Sequence, residues 1–234
     1  MDERSKPLAS ALYLQELVRV APGKTDDYIE AMARRGVSLM TRAGLTLIGA
    51  WEVQLTLREM LLIWRVESAD AFPDEGWLLQ SPQVQPEGAA FRRELDGLLE
   101  SLQGSLMSPV PVVPAPQPGA LPGPPRRRLY FHEVQQVLPG KMLDYLGRLA
   151  VEALPQWNRA GWRVEGVFRN HVRPRELLWL VSYEQGSEGV FEPKVWIDPD
   201  GPMPELASWM AKAWEWRDEW TDRLMLPLPF SPLQ

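Results

Sequence analysis

Residues 12–28 read LYLQELVRVAPGKTDDY, and residues 129–145 read LYFHEVQQVLPGKMLDY. The two stretches open a longer alignment without gaps, of residues 12–67 with residues 129–184, at a constant offset of 117. Within this window of 56 residues, 18 positions are identical. The chain therefore contains two copies of one unit, and this duplication predicts a fold more firmly than any single motif predicts a reaction.

Each copy opens with a segment rich in branched and aromatic residues, which predicts a strand. A Pro-Gly-Lys turn follows at residues 22–24 and 139–141, and the helix expected after it carries its apolar residues on one face. In the first copy that face consists of Tyr28, Met32, Val37 and Met40. The first helix should end near Gly44, because glycine suits the left-handed position after a helix, and Pro155 should kink or break the second.

Residues that alternate with a period of two come next and predict a second strand in each copy. One side of this strand is expected to carry Leu45, Leu47, Gly49, Trp51, Val53 and Leu55 in the first copy, and Trp162, Val164, Gly166, Phe168, Asn170 and Val172 in the second. A short turn then leads to a third strand at residues 60–67 and 177–184, which forms a hairpin with the second. A second helix is predicted at residues 87–103 and 204–222, before a short final strand.

Tryptophan is unevenly distributed, since eight of the eleven tryptophans lie in the second copy. Apolar residues share one face of the last predicted helix: Leu206, Trp209, Ala213, Trp216 and Trp220. A stripe of this kind at helical spacing is typical of a packed core. We therefore interpret these tryptophans as packing residues rather than as a cofactor site.

The order strand, helix, strand, strand, helix, strand is that of a ferredoxin-like βαββαβ unit. Such a unit is an α+β structure, an antiparallel sheet with both helices on one face. The bare faces of two units can cover each other, which predicts an intramolecular pseudo-dimeric α+β barrel. We expect the units at residues 8–113 and 128–234, joined by a proline-rich linker at residues 114–127.

The composition narrows the class of protein. A net charge of −6 argues against nucleic-acid binding, and the basic run at residues 126–128 is interpreted as the solvated end of the linker. The chain has no cysteine, and neither a secretory leader nor a membrane-spanning stretch is predicted. These features favour a cytoplasmic protein without membrane insertion, either a monomer or a homodimer of pseudo-dimers.

Several short motifs stand out in the two copies and at the end of the sequence. They are Tyr13, Pro22-Gly23-Lys24, Gly49-Ala50-Trp51, Trp64 and Ser68, then Tyr130, Pro139-Gly140-Lys141, Gly166 and Phe168, and the closing Pro229-Phe230-Ser231-Pro232-Leu233. Together these motifs resemble the NIPSNAP family of the dimeric α+β barrel superfamily. The resemblance implies the barrel fold but no catalytic residue. Leu14, Glu16 and Val18 stand where the family has a Glu-x-Arg-x-Tyr run, and Leu62 and Trp179 where it has a histidine.

Seven residues are candidates for ligand binding: Tyr13, Glu16, Tyr130, His132, Glu133, Arg169 and His171. Glu16 and Glu133 occupy the same place in both copies, on an otherwise apolar strand face. If this face lined the barrel interior, burial would raise the pKa values of both carboxyl groups and suit them to general acid or base chemistry. The alternative is that each carboxylate pairs with the duplicated arginine, Arg58 or Arg175.

The two histidines, His132 and His171, both fall on predicted strands of the second copy. A metal site would need carboxylates to converge on them, and their spacing is neither HxH nor HxxxH, so neither a metal nor another cofactor is predicted. Arg169 and His171 share the polar side of the second strand with Glu165. That side is either a pocket wall or a set of charges that protects a sheet edge.

These patterns leave three functions open. The first is a NIPSNAP-like protein that binds a small apolar or aromatic ligand, or a protein partner, without catalysis. The second is a cofactor-independent oxygenase or isomerase that acts on an aromatic or polyketide-like compound in the cavity between the sheets, which rests on analogy of fold. The third is a structural scaffold. A cavity between the halves, and the residues that line it, would discriminate among them.

Overall fold

Eight antiparallel strands close into a barrel in the computed structural model, which describes residues 11–67, 86–116, 128–184 and 197–234. The strands are β1 Leu12–Val20, β2 Leu45–Val53, β3 Glu59–Val66, β4 Leu99–Pro109, β5 Arg128–Val137, β6 Trp162–Asn170, β7 Glu176–Glu184 and β8 Arg217–Pro227. The α-helices of the described residues are α1 Thr25–Ala31, α2 Val37–Arg42, α3 Glu87–Asp96, α4 Met142–Arg148, α5 Leu154–Arg159 and α6 Pro204–Lys212. None of these helices is long and apolar enough to cross a membrane.

The last strand of each half stays in its own sheet, and its end pairs with a strand of the other half. Around the barrel the order is β1-β3-β2-β8-β5-β7-β6-β4, so β4 lies between β1 of its own half and β6 of the other, and β8 lies between β5 and β2. Each half is a ferredoxin-like sheet, and the pairing of β4 with β6 and of β8 with β2 gives every edge strand a partner. The predicted α+β class and the pseudo-dimeric barrel are confirmed.

The first helix of each half is interrupted by a π-helical turn at the equivalent place, Met32–Gly36 and Leu149–Ala153. The predicted break at Pro155 is therefore wrong in its cause, because the first half has the same interruption without a proline. Pro155 instead lies in the first turn of α5, where its missing N–H costs little.

The second helix of each half is shorter than predicted, and the last strand is longer. Helix α3 ends at Asp96 before Gly97, and β4 begins at Leu99 and pairs along β1. Sheet hydrogen bonds thus replace helical ones from this point. In the second half Trp216 still stacks on Trp209, with 5.9 Å between ring centroids, whereas Trp220 lies on β8 rather than on the predicted helix face.

A β-bulge shifts the register of the second strand in each half, between Leu47 and Gly49 and between Val164 and Gly166. The predicted single face is therefore wrong: Leu45 and Leu47 pack towards the helices, while Trp51 packs inside the barrel. A Cβ atom on Gly49 would lie 2.2 Å from the Trp51 ring. Glycine at this position is what allows the ring to fold back over the bulge.

The barrel interior is largely packed with apolar side chains: Tyr13, Ile48, Trp51, Val53, Leu61, Ile63, Met107, Tyr130, Phe168, Leu178, Leu180, Met225 and Leu233. The face of β1 that carries Leu14 and Val18 packs against the helices instead. Since Glu16 shares that face, the option that Glu16 and Glu133 line the barrel interior is wrong.

A short segment after β4 and another after β8 fold back onto the barrel. The Tyr13 hydroxyl donates a hydrogen bond to the Pro116 carbonyl oxygen (3.1 Å), and the Tyr130 hydroxyl donates one to the carbonyl oxygen of Gln234 (3.4 Å). The first of these segments includes residues 114–116 of the predicted linker, which therefore belong to the barrel. The remaining linker residues lie outside the described part of the chain.

Candidate functional site

A pocket of about 490 Å³ lies in the second half, between its sheet and its helices. It is lined by Phe131, Glu133, Trp157, Trp162, Ile197, Ala207, Met210, Ala211, Trp214, Arg217, Trp220 and Asp222, and we call it the tryptophan pocket. Strands β5, β6 and β8 supply its floor, and helices α5 and α6 with the following 3-10 turn supply its walls. The volume is within the range of small-molecule sites.

Aromatic rings form most of the pocket wall. Phe131 stacks on Trp162 with 5.0 Å between centroids and 22° between planes. Trp157 leans against Trp162 at 6.3 Å, and on the other side Trp214 meets Trp220 at 4.9 Å. Flat apolar walls of this kind suit a planar ligand, because aromatic pairs stack with an offset or meet edge to face.

A buried ion pair lies at the floor of the pocket. Nη1 of Arg217 donates a hydrogen bond to Oε1 of Glu133 at 2.9 Å, and the side chains are 2% and 13% exposed. The Arg217 guanidinium also lies over the Trp220 ring, 4.4 Å from its centroid. Its Nε has no hydrogen-bond partner among the described residues, so the floor retains a donor that an acceptor on a ligand would satisfy.

The carboxyl group of Glu133 is chemically unusual. Burial, and then the charge of Asp222 on the neighbouring strand, raise the pKa of Glu133 above its ordinary value, although Arg217 and Gln135 oppose the shift. A carboxyl group with a raised pKa can accept or release a proton near neutral pH. This is the chemistry that the pocket could supply to a ligand.

Glu133 is held in place from behind by two buried side chains. The Tyr145 hydroxyl donates to Oε1 of Gln135 at 2.5 Å, and Nε2 of Gln135 donates to Oε1 of Glu133. Burial raises the pKa of Tyr145 well above its ordinary value, so this hydroxyl stays protonated and remains a donor. The carboxylate is therefore positioned from two sides, by the arginine and by the amide.

Among the described residues of the first half, the positions that match Arg217 and Asp222 are uncharged. Its matching carboxyl group, Glu16, accepts a hydrogen bond from Nε1 of Trp64 at 2.7 Å, and burial raises its pKa to about 7. The strand register places Leu99 where the second half has Arg217, and Gly104 where it has Asp222. The described residues of the two halves have therefore diverged around a shared glutamate, and the tryptophan pocket belongs to the second half.

The seven sequence candidates are not brought together. Glu133 lines the tryptophan pocket, whereas Tyr13, Tyr130 and His132 lie buried in the barrel. Arg169 and His171 are exposed near the end of β6, where the Arg169 Nε donates to the Pro174 carbonyl oxygen. Among the described residues no group of three His, Asp or Glu side chains is arranged to hold a metal ion.

The predicted pairing of the two glutamates with Arg58 and Arg175 is also wrong. Arg58 pairs with Glu100, at 2.8 Å, and Arg175 pairs with Asp218, at 2.9 Å. The true partner of Glu133, Arg217, was not among the sequence candidates. The sequence pattern predicts a helix at its position, and nothing in that pattern indicates that Arg217 faces Glu133.

The fold of this chain is that of a dimeric α+β barrel in which one polypeptide supplies both units. The tryptophan pocket lies between the sheet and the helices of the second unit. Its sequence matches no family model and no curated protein. An anthrone oxidase-like protein matches with a TM-score of 0.64, at 13% identity over 97% of this chain and 95% of that one. A candidate monooxygenase from Lactobacillus acidophilus NCFM matches with a TM-score of 0.61, at 11% identity over 93% and 94%.

The NIPSNAP resemblance is supported only at the level of this barrel fold. An uncharacterised NIPSNAP domain protein from Burkholderia xenovorans matches 44% of this chain and 98% of its own, at 20% identity. Its TM-score of 0.34 is too low to carry an argument. The two longer matches cover both halves, and their low identities show the fold alone.

Proposed function

We propose that this protein binds a flat aromatic small molecule with a polar substituent in the tryptophan pocket. The observation that carries the proposal is the buried Glu133–Arg217 pair beneath walls of tryptophan. The walls would cover the ring system, and the substituent would reach the pair and the unpartnered Nε of Arg217. A scaffold without a ligand would have no need of this pocket, and NIPSNAP membership remains a proposal that rests on the sequence motifs.

The proposal is tested by titrating the protein with 2-naphthol, a small planar phenol, and following the quenching of tryptophan fluorescence. Glu133→Gln should weaken binding by about tenfold, because the hydrogen bond to a charged group is lost. The matched control is Glu16→Gln, which changes the equivalent carboxyl group in the half without the pocket. Equal affinities of the two variants would contradict the assignment.

Catalysis is a second candidate, favoured by the raised pKa of Glu133 inside the pocket. The Glu133 carboxylate would take a proton from the CH2 carbon of an anthrone, which lies opposite the ketone across the central ring, and Arg217 would stabilise the resulting conjugated enolate. With dioxygen as co-reactant, an anthrone would lose two hydrogens at that carbon, gain one oxygen atom as a carbonyl, and yield water. The names of the two similar structures, an anthrone oxidase-like protein and a candidate monooxygenase, agree with this class of reaction.

Oxygen uptake with anthrone separates the two candidates. Uptake that the wild type catalyses and that Glu133→Gln abolishes, while Glu16→Gln retains it, would support the oxygenase. Saturable binding without oxygen uptake or rearrangement of the ligand would leave binding as the function. Both candidates use the pocket between sheet and helices, whereas the sequence hypothesis placed the reaction in a cavity between the sheets.

A further inference from the structure

A second cavity, of about 570 Å³, lies at the open part of the barrel. Strand β4 pairs with β6 only from Met107 to Pro109, and β8 pairs with β2 only from Met225 to Pro227. The earlier residues of both strands extend past these pairs and line the cavity, together with β1 and β5. Both halves therefore form it, and we call it the axial cavity.

His132 lies at the inner end of the axial cavity and has one unsatisfied nitrogen. Its side chain is 1% exposed, and its Nε2 lies 2.8 Å from Oε1 of Gln15. An amide oxygen only accepts hydrogen bonds, so Nε2 carries the proton and Nδ1 is an acceptor. Nδ1 has no hydrogen-bond partner among the described residues, and a buried acceptor of this kind favours a ligand that donates.

The charges around the cavity cancel in pairs. Nε of Arg223 lies 3.0 Å from Oε1 of Glu59, and Nη1 of Arg173 lies 3.2 Å from Oε2 of Glu176. Glu59 and Glu176 are equivalent positions of the two halves. Since each of these arginines is already paired with a carboxylate, the described lining offers an ionic ligand no unpaired arginine.

The other polar groups of the cavity are uncharged amides and hydroxyls: Gln15, Gln103, Ser105, Gln136 and Thr221. Each of these side chains can both donate and accept hydrogen bonds. The described lining residues include no aromatic ring other than the imidazole of His132, so a flat ligand finds no stacking surface there. This chemistry is the opposite of that in the tryptophan pocket.

We propose that the axial cavity is a second binding site, which takes a small uncharged molecule rich in hydroxyl groups. One hydroxyl would donate to Nδ1 of His132, and the others would exchange hydrogen bonds with the amides of Gln15 and Gln136. The site depends on assembly of both halves, and it is independent of the tryptophan pocket.

The test uses the full chain with ¹⁵N-labelled histidine, because its imidazole spectrum contains only His132 and the exposed His171. Erythritol is the probe, glycolate is the matched carboxylate probe, and 2-naphthol is the aromatic one. Erythritol should produce a saturable shift of the His132 Nδ1 resonance and leave His171 unchanged. Before any addition, the spectrum should show the proton on Nε2 of His132.

Two variants keep the test independent of folding defects at His132. Ser105→Phe should fill the cavity from β4 and weaken erythritol binding by about tenfold or more, a loss typical of a blocked small-molecule site. Ser101→Phe, on the same strand but exposed and outside the cavity lining, should leave binding unchanged.

The proposal is overturned by a proton on Nδ1 of His132 or by the absence of a saturable shift with erythritol, which would mean that the cavity holds only water. It is also overturned if erythritol shifts the His171 resonance as much as that of His132, or if glycolate or 2-naphthol binds in place of erythritol. Equal affinities of Ser105→Phe and Ser101→Phe for erythritol would overturn it as well.

Discussion

Nε2 of His132 lies 2.8 Å from Oε1 of Gln15, and the two residues are 117 positions apart, which is the offset of the duplication. Equivalent positions of two halves can touch only beside the pseudo-twofold axis. In a symmetric pair of identical subunits this contact would join two copies of one residue. Here the halves have diverged, so an imidazole donor faces an amide acceptor.

The first prediction concerns acid stability. Burial, and then the charge of Arg223, lower the pKa of His132 from 6.5 to about 3. A folded state that resists protonation binds fewer protons than the unfolded chain, so its stability falls as pH drops from about 6.5 towards about 3. At about pH 5.5 the contribution of His132 to the free energy of unfolding should have fallen by about 1 kcal/mol.

Urea unfolding of the wild type and of His132→Gln, from neutral to acid pH, measures this effect. The variant reproduces the residue found at the equivalent position of the first half and keeps an amide opposite Gln15. As the pH falls from about 6.5, the wild type should lose stability relative to the variant, which cannot titrate at this position. Parallel pH profiles would show that His132 titrates normally.

The second prediction concerns Glu16, whose pKa burial raises from 4.5 to about 7. Because its pKa is raised, the Glu16 carboxyl group binds protons more tightly in the folded state than in the unfolded chain. Its contribution to stability is therefore complete below pH 4.5 and is lost as pH rises through about 7. The free energy of unfolding of Glu16→Gln, relative to that of the wild type, should therefore rise by about 3 kcal/mol from acid to alkaline pH. Denaturant midpoints at both extremes measure the gain, and a constant difference would refute it.

The third prediction concerns the bulge in β2. Gly49→Ala should lower the free energy of unfolding by about 2–3 kcal/mol, since the new Cβ atom would lie 2.2 Å from the buried Trp51 ring. Gly147→Ala is the control, because it lies in α4 with nothing within 4 Å of its Cβ position. That change should raise helix stability by about 0.5–1 kcal/mol. Thermal melts compare the two variants, and a higher melting temperature for Gly49→Ala than for Gly147→Ala would contradict the prediction.

The fourth prediction concerns the segment after β8. Leu233 is 2% exposed and packs inside the barrel, so Leu233→Ala should cost about 2–4 kcal/mol. Leu57→Ala removes the same atoms from a side chain that is 81% exposed, and it should change stability by less than about 0.5 kcal/mol. Chemical denaturation compares the free energies of unfolding of the two variants. A loss at Leu233 as small as that at Leu57 would mean that the segment after β8 contributes little to stability.

The duplicated pattern allowed the element order and the barrel to be predicted, because hydrophobic period and turn residues act locally and occur twice. The β-bulges are the reason that the predicted faces of the second strands are wrong. One extra residue between Leu47 and Gly49 reverses every side chain that follows. No local pattern signals such a shift when both faces of the strand are apolar.

The site was harder to predict than the fold. Glu133 was a candidate because it is duplicated, but its partner Arg217 is 84 residues away. Arg217 follows Trp216 in a run of tryptophans that reads as a helix stripe, and only the early start of β8 turns it towards Glu133. The hydrophobic pattern of a helix or of a strand does not show where that element ends. It therefore cannot predict a contact that depends on the boundary between the helix and the strand.

The pairing of β4 and β8 with strands of the opposite half has a consequence for the protein at low abundance. Two separate subunits would part on dilution, whereas halves on one polypeptide keep a fixed effective concentration. Every molecule that is synthesised can therefore complete its barrel without meeting a second one, however few copies a cell contains.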